Sequence, residues 1–150
     1  MTFWHFLEAA GPPWEDVHSL GHLLRQLHKL PTPPEPLPAV SPLGSLPDDT
    51  ERCAWLTETQ RSWLLSRNQD LQHEYADTTW SLGCGMVHGD ANAENLIHTP
   101  ERIVLSDWDS VSYGPREQDI VPTSIRYRFG HPKSDWDQFC AAYGVSGPCG

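Results

Sequence analysis

Residues 86–97 read Met86-Val87-His88-Gly89-Asp90-Ala91-Asn92-Ala93-Glu94-Asn95-Leu96-Ile97, and residues 103–109 read Ile103-Val104-Leu105-Ser106-Asp107-Trp108-Asp109. One short apolar run ends at His88. Two more, Asn95–His98 and Ile103–Leu105, flank Thr99-Pro100-Glu101-Arg102. Apolar runs separated by turn residues predict a β-hairpin. The polar stretch His88–Asn95 then hangs before the hairpin as a loop, and Asp107-Trp108-Asp109 follows it.

The polar residues are spaced in a way that has chemical meaning. Asn95 lies five residues after Asp90, and Asp107 twelve residues after Asn95. Transfer of a phosphoryl group asks a protein for little covalent chemistry. It needs a carboxylate to orient an attacking hydroxyl and take its proton, and oxygen ligands to hold Mg²⁺ against the phosphates. Asp90 suits the first task, and Asn95 and Asp107 suit the second. A hairpin that turns the chain back would bring Asp107 beside Asn95. His88 is a further candidate for the catalytic set, with orientation of the loop through hydrogen bonds as its favoured part.

Working outward, Val17, Leu20, Leu23, Leu24, Leu27 and Leu30 recur at three- and four-residue steps. They predict an amphipathic helix over Trp14–Leu30, with Asp16 as N-cap and Pro31 as stop. Residues 31–47 hold seven prolines and read as a long surface loop. Helical periodicity returns over 49–76, with Leu56, Trp63, Leu64, Leu71 and Tyr75 on one face and a break near Thr57. Gly83–Gly85 reads as a turn. Gly114-Pro115 opens a helix to about Phe129, with Pro at a permitted first-turn position and Pro122 splitting it. A last helix covers Ser134–Tyr143 and ends at Gly144.

Composition bounds the function. The 150-residue chain carries 20 acidic residues against 10 Lys plus Arg, a net charge of −10. Nucleic-acid partners are disfavoured, because phosphate backbones are bound by positive patches. The cysteines, Cys53, Cys84, Cys140 and Cys149, form no Cys-x-x-Cys pair. Neither a zinc site nor a dense disulfide framework is expected. No segment approaches the roughly 18 apolar residues of a membrane span, and no signal peptide is visible. Reduced thiols and a cytoplasmic location are the expectation.

The segments MVHGDANAENLI and IVLSDWDSVSYGPREQD resemble the aminoglycoside phosphotransferase and choline kinase family. The resemblance covers residues 86–119 closely. It extends more loosely to LGHLLRQLHKL and FCAAYG. It implies an α+β chain: the mostly helical carboxy-terminal lobe of a protein-kinase-like fold, as a single domain over 1–150, with a small hairpin carrying the site. It implies Asp90 as catalytic base, Asn95 and Asp107 as Mg²⁺ and nucleotide ligands, and Asp119 as support for the loop. Asp109 is a weaker ligand candidate, with a hydrogen-bonded supporting carboxylate as the favoured alternative. It also implies transfer from ATP, or another nucleoside triphosphate, to a small-molecule hydroxyl. Acceptor pockets would lie near Glu117, Asp135 and Asp137, and the acidic balance would suit an amine-bearing acceptor; plain solvated surface is the favoured alternative for both.

Two features depart from that family. The only lysines are Lys29 and Lys133, and no Gly-rich phosphate loop is present. The expectation is therefore a chain lacking the nucleotide lobe, with residues 1–10 resembling a hinge and Met1 standing at an internal or truncated start. Such a chain would transfer phosphate poorly or not at all. The competing expectations are an inactive kinase-like remnant that binds a ligand or partner, and a metal-dependent hydrolase using Asp90, Asp107 and nearby His.

Overall fold

The structure is a computed structural model that describes residues 7–10 and 15–145. Helix α1 spans Val17–Leu27. The Asp16 side chain accepts a hydrogen bond from Ser19 N at 2.9 Å and satisfies one of the free amides at the helix start. The start expected at Trp14, and most of the hinge-like segment 1–10, lie outside the described residues. The helix ends one turn before Pro31, with His28 as its C-cap. Leu30 is therefore exposed and does not extend the apolar face.

The described chain divides into two compact units. One comprises residues 40–81 and is built on helices α2, Leu46–Arg52, and α3, Glu58–Asp77. Thr57 separates the helices as expected. Its hydroxyl accepts from Gln60 N while the Gln60 side chain accepts from Thr57 N, a reciprocal cap. The inward stripe of α3 is Leu64, Asn68, Leu71 and Tyr75, at heptad-like steps. Trp63, expected on that face, is exposed. It sits about 100° of helical rotation from Leu64. The proline-rich loop also ends early, since Pro47 occupies the first turn of α2.

The other unit comprises residues up to 39 and from 82 onward. Strand β1 is Cys84–Val87, β2 is Leu96–His98, β3 is Ile103–Leu105 and β4 is Ser112–Pro115. Helix α4, Val121–Arg126, and helix α5, Lys133–Tyr143, follow. Strands β2 and β3 form the expected hairpin, with Leu96 opposite Leu105. Its turn is held by Thr99, whose hydroxyl accepts from Arg102 N and whose N–H donates to Arg102 O.

Three expectations are corrected here. Gly114-Pro115 does not open a helix: it closes β4, which pairs antiparallel with β1 from Cys84 opposite Pro115 to Val87 opposite Ser112. A proline at a strand end forgoes no needed ladder donor. Gly83–Gly85 is not a free turn, because β1 begins at Cys84. The Arg116 guanidinium lies across Gly85, where a Cβ would come within 2.8 Å of it, so the glycine marks close approach. Pro122 does not split a long helix: it stands in the first turn of α4.

The core lies where α1 crosses α5. Leu20, Leu24 and Phe139 are fully buried there, with Val17, Leu27, Trp136 and Tyr143 around them. Each such side chain contributes about 1.5–3 kcal/mol by leaving water. Gly21 allows the crossing, since a Cβ there would stand 2.7 Å from Phe139 O. The same cluster takes in Ala91, Ala93, Leu96 and Leu105. The polar loop and the hairpin are thus anchored to the helical core by their own apolar residues.

Candidate active site

Strand β1 delivers the chain into the loop, and Asp119 fixes its entry. One Asp119 oxygen accepts from His88 N at 2.8 Å, and the other from Gly89 N at 2.9 Å. Asp119 is fully buried, and the His28 ring donates to it through Nε2 at 2.9 Å. The other nitrogen of His28, Nδ1, meets the Tyr143 hydroxyl at 2.7 Å. With Nε2–H turned to the carboxylate, a singly protonated ring accepts a hydrogen bond from the Tyr143 hydroxyl at Nδ1. Burial pushes the Tyr143 phenol up to about 12; nearby Arg116 opposes the rise, and Glu117 and Asp119 reinforce it. The hydroxyl therefore stays a donor.

His88 is fully buried and braces the loop from inside. Its Nε2 lies 2.9 Å from Ser106 O, which can only accept. Its Nδ1 lies 3.3 Å from Asp90 N, which can only donate. These partners assign the proton to Nε2. The ring also meets Trp108 edge-on, with centroids 4.7 Å apart. His88 thus ties the loop before the hairpin to the strand end after it.

Asp90 is held at both ends of its carboxylate. Asn92 Nδ2 donates to one oxygen at 2.6 Å, and Asn95 Nδ2 stands 3.4 Å from the other. The same Asn95 nitrogen donates to Asp90 O at 2.8 Å. Asn95 ends a 3-10 turn, Ala93–Asn95, and its backbone oxygen accepts from both Ser106 N and Ser106 Oγ. The hairpin register therefore runs on to Asn95 opposite Ser106, and Asp107 comes one residue beyond that pair. Asp107 takes left-handed backbone angles, φ 64° and ψ 62°, which few non-glycine residues adopt. Among the described residues no hydrogen bond or ion pair engages the Asp107 carboxylate, the Asp109 carboxylate or Asn95 Oδ1. Asn95 Oδ1 and the Asp107 carboxylate are hard oxygen donors without protein partners, the donor type that suits Mg²⁺.

Gly89 closes the arrangement. It has φ +85°, and a Cβ there would stand 2.3 Å from Ser110 O. The loop passes directly over the 3-10 turn Trp108–Ser110 that follows Asp107.

Among known proteins, a family model described as phosphotransferase enzyme family matches residues 12–148. The chain belongs to that family. Two solved structures share the fold. A choline/ethanolamine kinase family protein from Mesorhizobium loti matches with TM-score 0.60 and 17% identity, over 90% of this chain and 46% of its own. A spectinomycin phosphotransferase, solved with ADP and spectinomycin, matches with TM-score 0.52 and 19% identity, over 89% of this chain and 47% of its own. This phosphotransferase-family chain spans about half the length of those structures. Among curated proteins, no sequence matches it.

The chain has an α+β, kinase-like fold, in which β1, the loop, the hairpin and β4 follow in that order. Hydrogen bonds join Asp90 to Asn95, and Asp119 to the backbone at His88 and Gly89. The acidic residues expected near an acceptor pocket go to separate places. Glu117 accepts from Leu82 N at 2.7 Å, Asp137 pairs with Lys133 at 2.6 Å, and Asp135 lies with Glu15 and His131. Four contributors were not foreseen: His28, Asn92, Ser106 and Gly89. Asn92 was detectable as a donor two residues after Asp90. His28, 91 positions before Asp119, carried no local signal. No helix among the described residues is long and apolar enough to cross a membrane.

Proposed function

We propose that residues 86–119 form the acceptor-activating and metal-holding part of an ATP-dependent phosphotransferase of the aminoglycoside phosphotransferase type. It would act on a hydroxyl of a small molecule. The observation that supports it best is the posture of Asp90, a carboxylate aimed by Asn92 and Asn95 in a loop whose entry is pinned by buried Asp119.

In this reading Asp90 accepts the proton of the acceptor hydroxyl as that oxygen bonds to the γ-phosphorus and the bond to the nucleotide's bridging oxygen breaks. Asn95 Oδ1 and the Asp107 carboxylate would hold Mg²⁺, which when bound neutralises charge on the phosphate oxygens. His88 and Asp119 act as positioning residues, since their polar atoms are committed to the backbone.

The test is a calorimetric titration of the chain with ATP in the presence of Mg²⁺. Saturable binding weakened at least tenfold by Asp107→Ala is expected. No detectable binding overturns the reading and leaves an inactive remnant that binds some other ligand or partner. Where transfer to a hydroxyl acceptor is measurable, Asp90→Asn is expected to slow it about 10²-fold or more, the usual worth of a positioned base.

A further inference from the structure

Away from the catalytic loop, a pocket of about 390 Å³ opens between the C-terminal ends of α1 and α5 and the start of β1. Its wall carries Arg25, Lys29 and Arg116. In a chain of net charge −10, a cluster of three cations is unexpected from composition. None of the three makes an ion pair among the described residues, whereas Arg67, Arg126 and Lys133 elsewhere each have an acidic partner.

Two of the cations have an ordinary explanation. Lys29 follows the end of α1, and Arg25 lies against Gly144 at the end of α5, where cations complement the helix dipole. Arg116 has no such explanation. It comes from the 3-10 turn after β4, and one of its terminal nitrogens donates to Leu82 O at 2.7 Å. Its Nε is buried without a hydrogen-bond partner. That N–H is closed off against Gly85, so Arg116 meets the pocket through the rest of its side chain, beside two further cations that have no acidic partner. The floor adds polar character through His28 and the Tyr143 hydroxyl.

We propose that this pocket binds a small multivalent oxyanion, a phosphate or carboxylate group held by Arg25, Lys29 and Arg116. A planar guanidinium can meet two oxygens of such a group at once, and the ammonium adds a point charge. The site is separate from Asp90, Asn95 and Asp107, and the proposal does not depend on the function proposed above.

Calorimetric titration of the chain with inorganic pyrophosphate, and separately with citrate, tests it at low ionic strength in buffer freed of divalent metal by chelating resin. One equivalent per chain is expected for at least one of the two. The anion that binds distinguishes a phosphate from a carboxylate site. Lys29→Gln and Arg25→Gln, both at exposed positions, are each expected to weaken binding at least tenfold while leaving the circular dichroism spectrum unchanged. Arg52→Gln and Arg128→Gln, which remove cations elsewhere, should leave it within twofold. Absence of saturable binding by either anion overturns the proposal, as does equal weakening by all four substitutions, which would signify diffuse attraction.

Discussion

His28 and Asp119, 91 positions apart, meet at 2.9 Å with both side chains buried. The carboxylate that receives the His28 ring is the one that receives the amides of His88 and Gly89. The end of the first helix is therefore wired to the entry of the His88–Asn95 loop through one side chain.

This junction predicts a large and non-additive loss. Asp119→Asn replaces an acceptor oxygen by a donor facing an N–H or the His28 ring. Each orphaned buried group costs about 1–3 kcal/mol. Urea denaturation should show a destabilisation of that order or more. His28→Asn should cost less in the Asp119→Asn background than in the wild type, with a coupling of about 0.5–3 kcal/mol. Strict additivity would mean that the two residues act independently.

Gly89 and Gly130 make a controlled pair. Both have positive φ, +85° and +92°, but a Cβ at Gly130 would meet nothing within 4 Å. Gly130→Ala should therefore cost only the left-handed penalty of about 1–2 kcal/mol. Gly89→Ala carries that penalty plus a collision with the Ser110 carbonyl. It should be distinctly more destabilising in urea and should shift Trp108 fluorescence. Equal midpoints for the two variants would contradict the close approach.

Gly21 tests the helix crossing through a change of sign. In an exposed helix interior, Gly to Ala stabilises by about 1 kcal/mol. Here the added methyl would stand 2.7 Å from Phe139 O and 3.1 Å from the Ala142 Cβ. Gly21→Ala should destabilise, by about 1–3 kcal/mol, as overpacking does. A raised melting temperature would show that α1 and α5 do not cross so closely.

Tyr143 gives the chain a stability limit on the alkaline side. Its folded phenol ionises at about 12, chiefly because it is buried, against about 10 for a free tyrosine. Below pH 10 the tyrosine is protonated in both states and its contribution is fully present. Between about 10 and 12 the unfolded chain releases the proton while the folded chain retains it, so stability falls with rising pH. That difference corresponds to about 2–3 kcal/mol. Denaturation midpoints should drop over that window in the wild type and less in Tyr143→Phe. An identical decline in both would assign the loss to other groups.

The hairpin and its flanking loop were legible because their signals are local. Turn chemistry lies at Thr99–Arg102, and the polar residues cluster between short apolar runs. The first helix was legible through its leucine spacing and Asp16. The β1 and β4 pairing was not, because Gly83, Gly85, Gly114 and Pro115 carry turn and helix-start signals. Their actual reasons are the Arg116 side chain lying over Gly85 and a strand end where proline loses no donor. In the site, the spacing of Asp90 and Asn95 brought together two residues that share hydrogen bonds, and the Asp119 carboxylate accepts the amides of His88 and Gly89. His28 was invisible, since a contact made across 91 positions leaves no periodicity.

The pairing of β4 with β1 makes residues 84–115 a closed ring, with Asp90 and Asp107 on the same circuit. A ring transmits a change of length, whereas an open strand would absorb it. An extra residue in 88–95 or 106–111 must shorten or stretch the reach between the two carboxylates. Only the exposed tip at Pro100–Arg102 lies beyond the strands that fix that reach. An insertion at the tip of this chain is therefore expected to leave that reach unchanged, whereas one elsewhere in the circuit alters it.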